Sequence, residues 1–365
     1  MKTALIHDWL VTSGGAEKVL EEIWNLYPSP IFTLMNGKIL PGKKVISSVL
    51  QKMPGSLRFH RYFLPFFPWA IEKFDLNEFE IILSSSHAVA KGIKKREDQL
   101  HICYCHTPMR YAWDLEKQYT ETLGAVRRLG AKAVLKYLRE WDLSTSNRVD
   151  HFIANSVFVA ERIERIYGRK ATVIYPPVST ENFYLSEQKD DFYLTVSRLV
   201  PYKKIDLMIK AFASLPDRRL LVVGDGPEMQ RLKAMATINV KMMGHQNDET
   251  VSSLLSQAKG FIFAAEEDFG IVPVEAQASG TPVIAFGKGG ACETVIPGKT
   301  GIFFEEQTVS SLLSAIERFE CLSFDPMVIK THAEKFNKER FKQEFKTFVE
   351  EKWREFNENR YSCRR

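Results

Sequence analysis

Short apolar segments alternate with longer amphipathic segments along the whole chain. The short segments lack the strict alternation of apolar and polar residues that marks a half-buried strand, so we expect both of their faces to be buried. They predict strands at TALIHDWL, EIILSS, LHICYCH and HFIANS in the first half, and at DFYLTVS, RLLVVG, VKMMG, GFIFAA and TPVIAF in the second. Amphipathic segments such as AEKVLEEIWNLY and KKIDLMIKAFASL predict helices between them. This order is typical of an α/β fold, in which crossover helices cover parallel sheets.

The alternation is interrupted near residues 172–192, where TVIYPPVSTENFYLSEQKDD combines two prolines with a polar run. A chain of 365 residues also exceeds the usual domain size of about 100–200 residues. We therefore expect one domain over residues 1–175 and a second over 176–340. Aromatic residues at helical spacing predict a long closing helix or a pair of helices over 335–359, with a buried stripe rather than a ligand site. They are Phe336, Phe341, Phe345, Phe348, Trp353 and Phe356. We expect residues 341–365 to return to the first domain.

Composition places the chain among globular proteins, with 45% hydrophobic and 26% charged residues. Its five cysteines are sparse and unpatterned, which favours free thiols in a reducing compartment. They are Cys103, Cys105, Cys292, Cys321 and Cys363. No apolar run approaches the roughly 18 residues that span a bilayer, and Asp8 interrupts the N-terminal run. We expect a cytoplasmic protein, peripheral at the inner face of the plasma membrane.

The net charge of +5 is unevenly distributed. Residues 1–175 hold 25 Lys/Arg and 18 Asp/Glu, whereas residues 176–365 hold 25 and 27. Two basic clusters lie in the first half, near the aromatic segment RYFLPFFPWAIEKF. They are Lys91, Lys94, Lys95 and Arg96, and Arg127, Arg128, Lys132, Lys136 and Arg139. Basic and aromatic residues together suit an anionic membrane surface, although a solvated face over an ordinary core explains them equally well. Nucleic acid is disfavoured because no recognised binding motif accompanies the charge.

The densest chemical signal is Ala264–Gly280, AAEEDFGIVPVEAQASG, directly after the strand GFIFAA. Pro273 suits the first turn of a helix, and Gly280 suits its end. Free amides at residues 270–274 and the positive end of this helix can hold a diphosphate. Glu267 and Glu275 cannot bind phosphate but suit the hydroxyl groups of a sugar and a ribose. Alternatively, both are simply favourable charges near a helix start.

Further candidates follow other predicted strands. SRLVPYKK places Arg198 and Lys203 after DFYLTVS, where a solvated turn before a helix explains them on local grounds alone. No Asp-x-Asp sequence, the commonest metal-dependent transferase signature, occurs in the chain. LLVVGDGPEM and VKMMGHQND contribute glycine turns, but Met229 replaces the third glycine of a dinucleotide fingerprint, which disfavours a dehydrogenase.

In the first half, HDWLVTSGGAEKVLEEIW predicts a strand, a Gly-Gly loop and a helix that suit a phosphate, although a tight turn fits as well. HICYCHTPMRYAWD places His106 at a strand's carboxyl end. A metal site built from His101, Cys103, Cys105 and His106 lacks a second ligand cluster, so we expect no metal. A buried core histidine competes with a functional role for His106.

The segment EDFGIVPVEAQASGTPVIA resembles the signature of family 4 glycosyltransferases, in which two glutamates are separated by seven residues. The resemblance covers nearly the whole chain. It implies the GT-B fold, with two Rossmann-like domains facing across a cleft, retention of anomeric configuration, and neither metal nor cofactor. It implies that Glu267 contacts the donor sugar, Glu275 the ribose, and Arg198 and Lys203 the diphosphate. It extends the donor contacts to Gly14, Gly15, Gly224, Gly226, Gly244, Phe269, Gly270, Ile271 and Val272.

HTPMRYAWD, with HDWL, GGAEKVL and SSSHAVAKG, resembles bacterial mannosyltransferases of lipopolysaccharide O-antigen and exopolysaccharide assembly. This resemblance implies GDP-mannose as the donor and a polyprenyl-diphosphate-linked saccharide as the acceptor. It adds His106 to the catalytic set, near the reacting sugar, and places Asp8, Arg110 and Asp114 on the acceptor side. Alternatives are a UDP-sugar transferase, an epimerase or a phosphorylase of the same fold, or a non-catalytic nucleotide- or lipid-binding module.

Overall fold

The computed structural model describes residues 1–12, 14–114, 124–186 and 188–362. The chain divides into two compact units, Met1–Pro176 with Phe341–Arg365 and Pro177–Arg340. We call them the first and the second unit. The predicted thiol Cys363 lies outside the described residues. The cysteines inside them are free, with Cys103 and Cys105 buried and Cys292 and Cys321 exposed.

The first unit contains a seven-stranded parallel sheet with strand order β3-β2-β1-β4-β5-β6-β7. The strands are β1 Thr3–His7, β2 Ile31–Thr33, β3 Val45–Ser47, β4 Ile81–Ser86, β5 Leu100–Cys105, β6 His151–Ala154 and β7 Ala171–Val173. The helices are α1 Gly15–Leu26, α2 Phe67–Ile71, α3 Arg110–Trp113, α4 Ala125–Thr145 and α5 Val157–Tyr167. Every residue of β1, β4 and β5 is buried, as their unbroken apolar character predicts for strands covered on both faces.

The second unit contains a six-stranded parallel sheet with strand order β10-β9-β8-β11-β12-β13. The strands are β8 Asp190–Val196, β9 Arg219–Val223, β10 Val240–Gly244, β11 Ala258–Phe263, β12 Val283–Phe286 and β13 Gly301–Phe304. The helices are α6 Ile205–Ala213, α7 Met229–Met235, α8 Asp248–Gln257, α9 Ile271–Ala278, α10 Ala291–Thr294, α11 Val309–Glu320 and α12 Pro326–Ala333. The chain leaves β8 toward β9 on one side and returns to β11 on the other. Ligands bind beyond the carboxyl ends of strands at such a reversal.

The closing helix α13, Lys338–Ser362, supplies core to the first unit. Phe341, Phe345 and Val349 are fully buried beside residues of β1, β4 and β5. The ring centroid of Phe341 lies 5.9 Å from that of Tyr104 in β5. Phe341, Phe345 and Phe348 are therefore buried, as predicted, and Trp353 and Phe356 are partly buried. Phe336 packs in the second unit against His332.

The proline-rich aromatic segment of the first unit forms two short helical pieces. A 3-10 turn covers His60–Phe66 and leads directly into α2. Pro65 and Pro68 account for the short pieces, because proline cannot donate the backbone hydrogen bond that a longer helix needs.

Candidate active site

The loops after β8 and β11 bring a cation and a carboxylate together where the strand order of the second unit reverses. Lys203, at the end of a 3-10 turn after β8, donates to Oε1 of Glu267, which follows β11. The two side chains expose 16% and 20% of their surface, so this pair is partly shielded from solvent. Arg198 lies in the same loop as Lys203 and is exposed. Three of the predicted donor-site residues thus lie in loops beyond the carboxyl ends of two adjacent strands.

The residue after Lys203 has an unusual backbone conformation. Lys204 has a φ of 57° and is one of two non-glycine residues with positive φ in the described part of the chain. Its amide donates to the carbonyl of Pro201 at 3.2 Å, which closes the turn that carries Lys203. The left-handed region is unfavourable for a residue with a Cβ atom, and such strain tends to occur at functional sites.

The Gly-x-Gly turn after β9 fixes the backbone around Arg198. Gly224 has a φ of 131°, and a Cβ atom there would lie 1.8 Å from the carbonyl oxygen of Ser197. A Cβ atom at Gly226 would lie 2.4 Å from the carbonyl oxygen of Leu199. The amide of Ser197 donates to Val223 at 3.0 Å, and that of Leu199 to Asp225 at 2.9 Å. The two glycines are therefore required by close packing between loops.

Gly244 ends β10 with a φ of 71° and joins the same set of loops, because its carbonyl accepts from the Gly224 amide at 2.8 Å. The exposed His245 follows it. The glycines after β9 and β10, which were expected to contact the donor, therefore lie in adjoining loops at the carboxyl edge of the sheet.

Helix α9 begins at the predicted anion site. Gly270, with a φ of 87°, precedes its first residue, and no side chain of the described residues caps the helix start. Ile271, Val272 and Glu275 are half-buried. An uncapped helix start has amides and a positive dipole that favour an anion. The Phe269 side chain is buried with its ring 5.7 Å from Phe336, so Phe269 has only its backbone to offer a ligand.

A loop that the sequence analysis did not single out shapes this region. Gly289 has a φ of 76°, and a Cβ atom there would lie 2.5 Å from the carbonyl oxygen of Glu267. The amide of Gly290 donates to that carbonyl at 2.8 Å, and a Cβ atom at Gly290 would lie 2.3 Å from Cα of Phe269. In the sequence this loop is the glycine-rich segment GKGG directly after the predicted strand TPVIAF, and that pattern could have identified it.

The carboxyl ends of β1, β4 and β5 in the first unit carry a histidine cluster. The ring of His87 lies 5.9 Å from that of His7 and 6.4 Å from that of His106. Nε2 of His106 lies 2.8 Å from the hydroxyl of Ser85. Burial, followed by the charges of His87 and His7, holds the pKa of His106 well below its usual value. His106 is therefore neutral at physiological pH. Among the described residues, no group of His, Cys, Asp and Glu has an arrangement suited to a metal ion.

Asp8, which the sequence analysis expected to line the acceptor side, has a side chain that is enclosed within the fold. Its side chain is fully buried, and its carboxylate accepts four backbone N–H groups. They belong to His87, Ala88, Val89 and Ala90, at 2.6, 3.0, 2.6 and 2.7 Å. With both oxygens bonded inside the fold, this carboxylate positions the loop after β4 and cannot reach a ligand.

The other acceptor-side candidates lie around α3. Arg110 is its first residue and is half-buried. Asp114, just after the helix, forms ion pairs with Arg162 and Arg165 of α5. Gly14 precedes α1 and Gly15 begins it, so both lie at a helix start as predicted.

The first basic cluster is not a surface patch at every position. Lys91 is buried, and its ammonium group lies 3.0 Å from Oδ1 of Asp142. Lys94 remains exposed, and its ammonium group lies 3.3 Å from Oε2 of Glu72. A sequence run of lysines cannot show which of them has a buried partner more than 50 positions away, as Lys91 has.

Comparison with known families agrees with this geometry. Residues 14–182 match the family model described as Glycosyltransferase Family 4, and residues 178–338 match Glycosyl transferases group 1. The two halves of the chain therefore match two models of glycosyltransferases, and together the matches cover residues 14–338. Among solved structures, this chain is similar to Anabaena HepE in complex with UDP-glucose, with a TM-score of 0.70 and 20% identity over 96% of this chain and 100% of that one. Sucrose-phosphate synthase from Thermosynechococcus elongatus gives a TM-score of 0.72 at 19% identity, covering 97% and 99% of the two chains. These likenesses confirm the predicted GT-B fold.

Curated relatives match shorter segments. A GDP-mannose-dependent monoacylated alpha-(1-6)-phosphatidylinositol monomannoside mannosyltransferase of Corynebacterium glutamicum is 41% identical over 131 residues, 32% of this chain and 34% of the relative. An uncharacterised glycosyltransferase of Methanocaldococcus jannaschii is 28% identical over 172 residues, 46% of this chain and 48% of the relative. The chain thus spans between a third and a half of the length of these relatives. In residues 1–12, 14–114, 124–186 and 188–362, no helix is both long and apolar enough to cross a bilayer.

Proposed function

We propose that this protein is a retaining hexosyltransferase that moves mannose from GDP-mannose onto a polyprenyl-diphosphate-linked saccharide, in bacterial O-antigen or exopolysaccharide synthesis. The bond from the sugar C1 to the diphosphate oxygen breaks as the bond to the acceptor oxygen forms on the same face. The acceptor proton passes to the departing phosphate oxygen. Arg198 and Lys203 stabilise the leaving nucleoside diphosphate, Glu267 positions the sugar, and Glu275 holds the ribose.

The contact between Lys203 and Glu267 at the strand reversal carries this proposal. Without a donor, the ammonium group and the carboxylate neutralise each other. A bound diphosphate attracts Lys203, which frees Glu267 to accept hydrogen bonds from sugar hydroxyls. Cations aimed at the leaving group act most strongly in the transition state, where its negative charge increases. Amides at the start of α9 supply the remaining diphosphate contacts.

Relatives support the choice of donor. Besides the corynebacterial protein, a GDP-mannose-dependent alpha-(1-6)-phosphatidylinositol monomannoside mannosyltransferase of Mycolicibacterium smegmatis is 34% identical over 139 residues. These names combine GDP-mannose with a lipid-linked acceptor, which supports an acceptor carried by a membrane lipid. In this proposal His106 contacts the transferred sugar, and Arg110 and Asp114 line the acceptor side.

Exposed aromatic residues of the first unit support location at a membrane. Tyr62, Phe66 and Trp69 expose 81%, 55% and 50% of their surface. The neighbouring α4 presents the exposed basic residues Arg127, Arg128, Lys132 and Lys136. Nε1 of Trp141 in α4 donates to Glu72, directly after α2, at 2.9 Å, which links the aromatic segment to the basic helix. We propose that this surface contacts anionic lipids at the inner face of the plasma membrane.

A donor screen with one variant tests the function. GDP-mannose and GDP should raise the melting temperature of the full chain more than UDP- or ADP-sugars do, and labelled mannose should pass to a lipid-linked saccharide. Lys203→Ala should lower kcat about 100-fold or more, the usual effect of removing one transition-state contact. Lys210→Ala, an exposed lysine of α6 that pairs with Asp206, is the matched control and should keep full activity.

Each part of this test has an outcome that would contradict the corresponding part of the proposed function. Stabilisation by UDP but not by GDP would contradict the choice of GDP-mannose while leaving the transferase proposal intact. Conversion of the donor without any acceptor would indicate an epimerase. A Lys203→Ala variant with the turnover of the wild type would remove Lys203 from the catalytic set.

A further inference from the structure

A chain of buried polar contacts runs from helix α1 to His106. Oε1 of Glu17 lies 3.5 Å from Nε2 of His7. Nδ1 of His7 lies 3.1 Å from the carbonyl oxygen and 3.2 Å from the hydroxyl of Ser85. That hydroxyl lies 2.8 Å from Nε2 of His106. All four residues are buried. None of the first three was named as a site residue, although each lies in a motif quoted above, namely GGAEKVL, HDWL and SSSHAVAKG.

The chemistry of these groups fixes the position of each hydrogen. A carbonyl oxygen only accepts, so Nδ1 of His7 must carry a hydrogen that it donates to Ser85. The Ser85 hydroxyl then accepts from His7 and has its own hydrogen left to donate. Its partner for that hydrogen is Nε2 of His106 at 2.8 Å. Nε2 of His106 therefore accepts, and the hydrogen of a neutral His106 ring lies on Nδ1.

Glu17 lies at the other end of this series of polar contacts, beside His7. With Nδ1 of His7 donating to Ser85, Nε2 of His7 faces the Glu17 carboxylate at 3.5 Å. Burial raises the pKa of Glu17, but the hydrogen bond and charge of His7, with the charge of His87, outweigh it and lower that pKa. His87 is the further titratable group facing His7, and its own ring nitrogen Nδ1 lies 3.2 Å from Asp8.

We propose that Glu17, His7 and Ser85 are positioning residues that hold His106 as a neutral imidazole with its hydrogen on Nδ1. The proposal rests on the proposed function, in which His106 contacts the transferred sugar. A neutral ring with a fixed Nδ1–H donates one directed hydrogen bond to a sugar oxygen. It adds no positive charge beside that sugar.

The hydrogen positions are measurable without any turnover. The full chain is labelled with ¹⁵N-histidine, and long-range ¹H–¹⁵N spectra are recorded at neutral pH, where the Nδ1–H and Nε2–H forms differ. His106→Gln identifies the His106 signals. We expect His106 with hydrogen on Nδ1 alone, and a shift toward the Nε2–H form in Ser85→Ala. A wild-type His106 that is protonated on Nε2 overturns the proposal.

Two further variants complete the test. Ser84→Ala is the matched control, because the Ser84 hydroxyl lies 2.8 Å from Nε2 of His101, so this change should alter the His101 signals and leave those of His106 unchanged. Glu17→Gln removes the carboxylate that faces Nε2 of His7 and should alter the ¹⁵N signals of His7. Unchanged His7 signals in Glu17→Gln contradict a positioning role for Glu17.

Kinetics then separate positioning from mere stability. Ser85→Ala should lower kcat at least about tenfold with little change in the donor KM, and Ser85→Thr, which keeps a hydroxyl, should restore most of it. Equal kcat in Ser85→Ala and the wild type overturns the positioning role. If the wild type transfers no sugar, the proposed function fails, while the spectra still decide the state of His106.

Discussion

Glu320, at the end of α11, shows how a single ionisable residue joins several parts of the second unit. Its carboxylate accepts from Arg218 through two nitrogens at 2.8 Å each, from Lys259 at 3.0 Å and from the Tyr193 hydroxyl at 3.0 Å. These partners belong to β8, β11 and the segment before β9. The hydrogen bonds from Arg218 make the largest contribution to a pKa of about 2 for Glu320.

We expect Glu320→Gln to lower the free energy of unfolding of the second unit by about 1–2 kcal/mol at pH 7. The pKa of Glu320 falls from 4.5 to about 2 on folding, so its stabilisation is complete above pH 4.5 and is lost as the pH falls toward 2. The difference in the free energy of unfolding between the wild type and Glu320→Gln should therefore disappear as the pH falls from 4.5 toward about 2. Urea unfolding followed by circular dichroism at several pH values measures it.

The exposed Glu317, one turn earlier on α11, supplies the control. Glu317→Gln should behave like the wild type at every pH. A Glu320→Gln gap that stays constant from pH 7 to pH 3 would rule out the lowered pKa as the source of the stabilisation.

Site residues are easier to predict from the sequence when the residues that they contact follow neighbouring strands of the same sheet. Lys203 and Glu267 were predicted to share a site because each follows a strand of the same parallel sheet, and the structure brings them into contact. Asp8 also follows a strand, yet its carboxylate is buried and accepts hydrogen bonds from the backbone amides of residues 87–90. A residue type and its strand position cannot distinguish a ligand-binding carboxylate from one that caps a loop, because the deciding partners are distant in the sequence.

At the level of secondary structure, two neighbouring loops form the part of the candidate site that holds Arg198. The loop after β8 carries Arg198, and the loop after β9 packs against its backbone through Gly224. Since a Cβ atom at Gly224 would lie 1.8 Å from a backbone oxygen, alanine there must displace the loop that carries Arg198. Overpacking of this kind costs about 1–3 kcal/mol.

We expect Gly224→Ala to weaken GDP-mannose binding about tenfold or more, because Arg198 moves with its loop. Isothermal titration calorimetry measures the Kd. Gly298→Ala is the matched control: Gly298 also has a positive φ, 74°, but open space where the Cβ would lie. It should cost about 1 kcal/mol of stability and leave the Kd unchanged. Equal donor affinity in Gly224→Ala and the wild type would show that the loop packing does not position the donor.

All nine apolar segments singled out in the sequence overlap strands of the structure, namely β1, β4, β5, β6 and β8 to β12. Length alone does not separate predicted from missed strands, because the predicted β6 and β12 have only four residues each. The strands that were not singled out, β2, β3, β7 and β13, have only three or four residues. So few positions show no periodicity, and their pairing is set by neighbours in the sheet. The long helix α13 was predicted because its aromatic spacing persists over many turns.

At the scale of the whole molecule, the excess positive charge lies in residues 1–175 together with the exposed aromatic side chains. Residues 1–175 hold 25 Lys/Arg and 18 Asp/Glu, and residues 176–365 hold 25 and 27. Aromatic rings enter the lipid headgroup region and cations attract anionic lipids, so a membrane surface should bind the first unit preferentially. The second unit has exposed apolar residues as well, Tyr184 and Ile238, without the basic excess.

We therefore expect the full chain to sediment with vesicles of phosphatidylglycerol and less with vesicles of phosphatidylcholine alone. Replacing Tyr62, Phe66 and Trp69 by serine should lower the partition coefficient about tenfold or more, with little loss of stability because these side chains are exposed. The serine variant of Tyr184 and Ile238 is the control and should bind as the wild type does. High salt should release the wild-type protein, since part of the attraction is electrostatic. Equal binding by the triple variant and the wild type would place the lipid contact elsewhere on the chain.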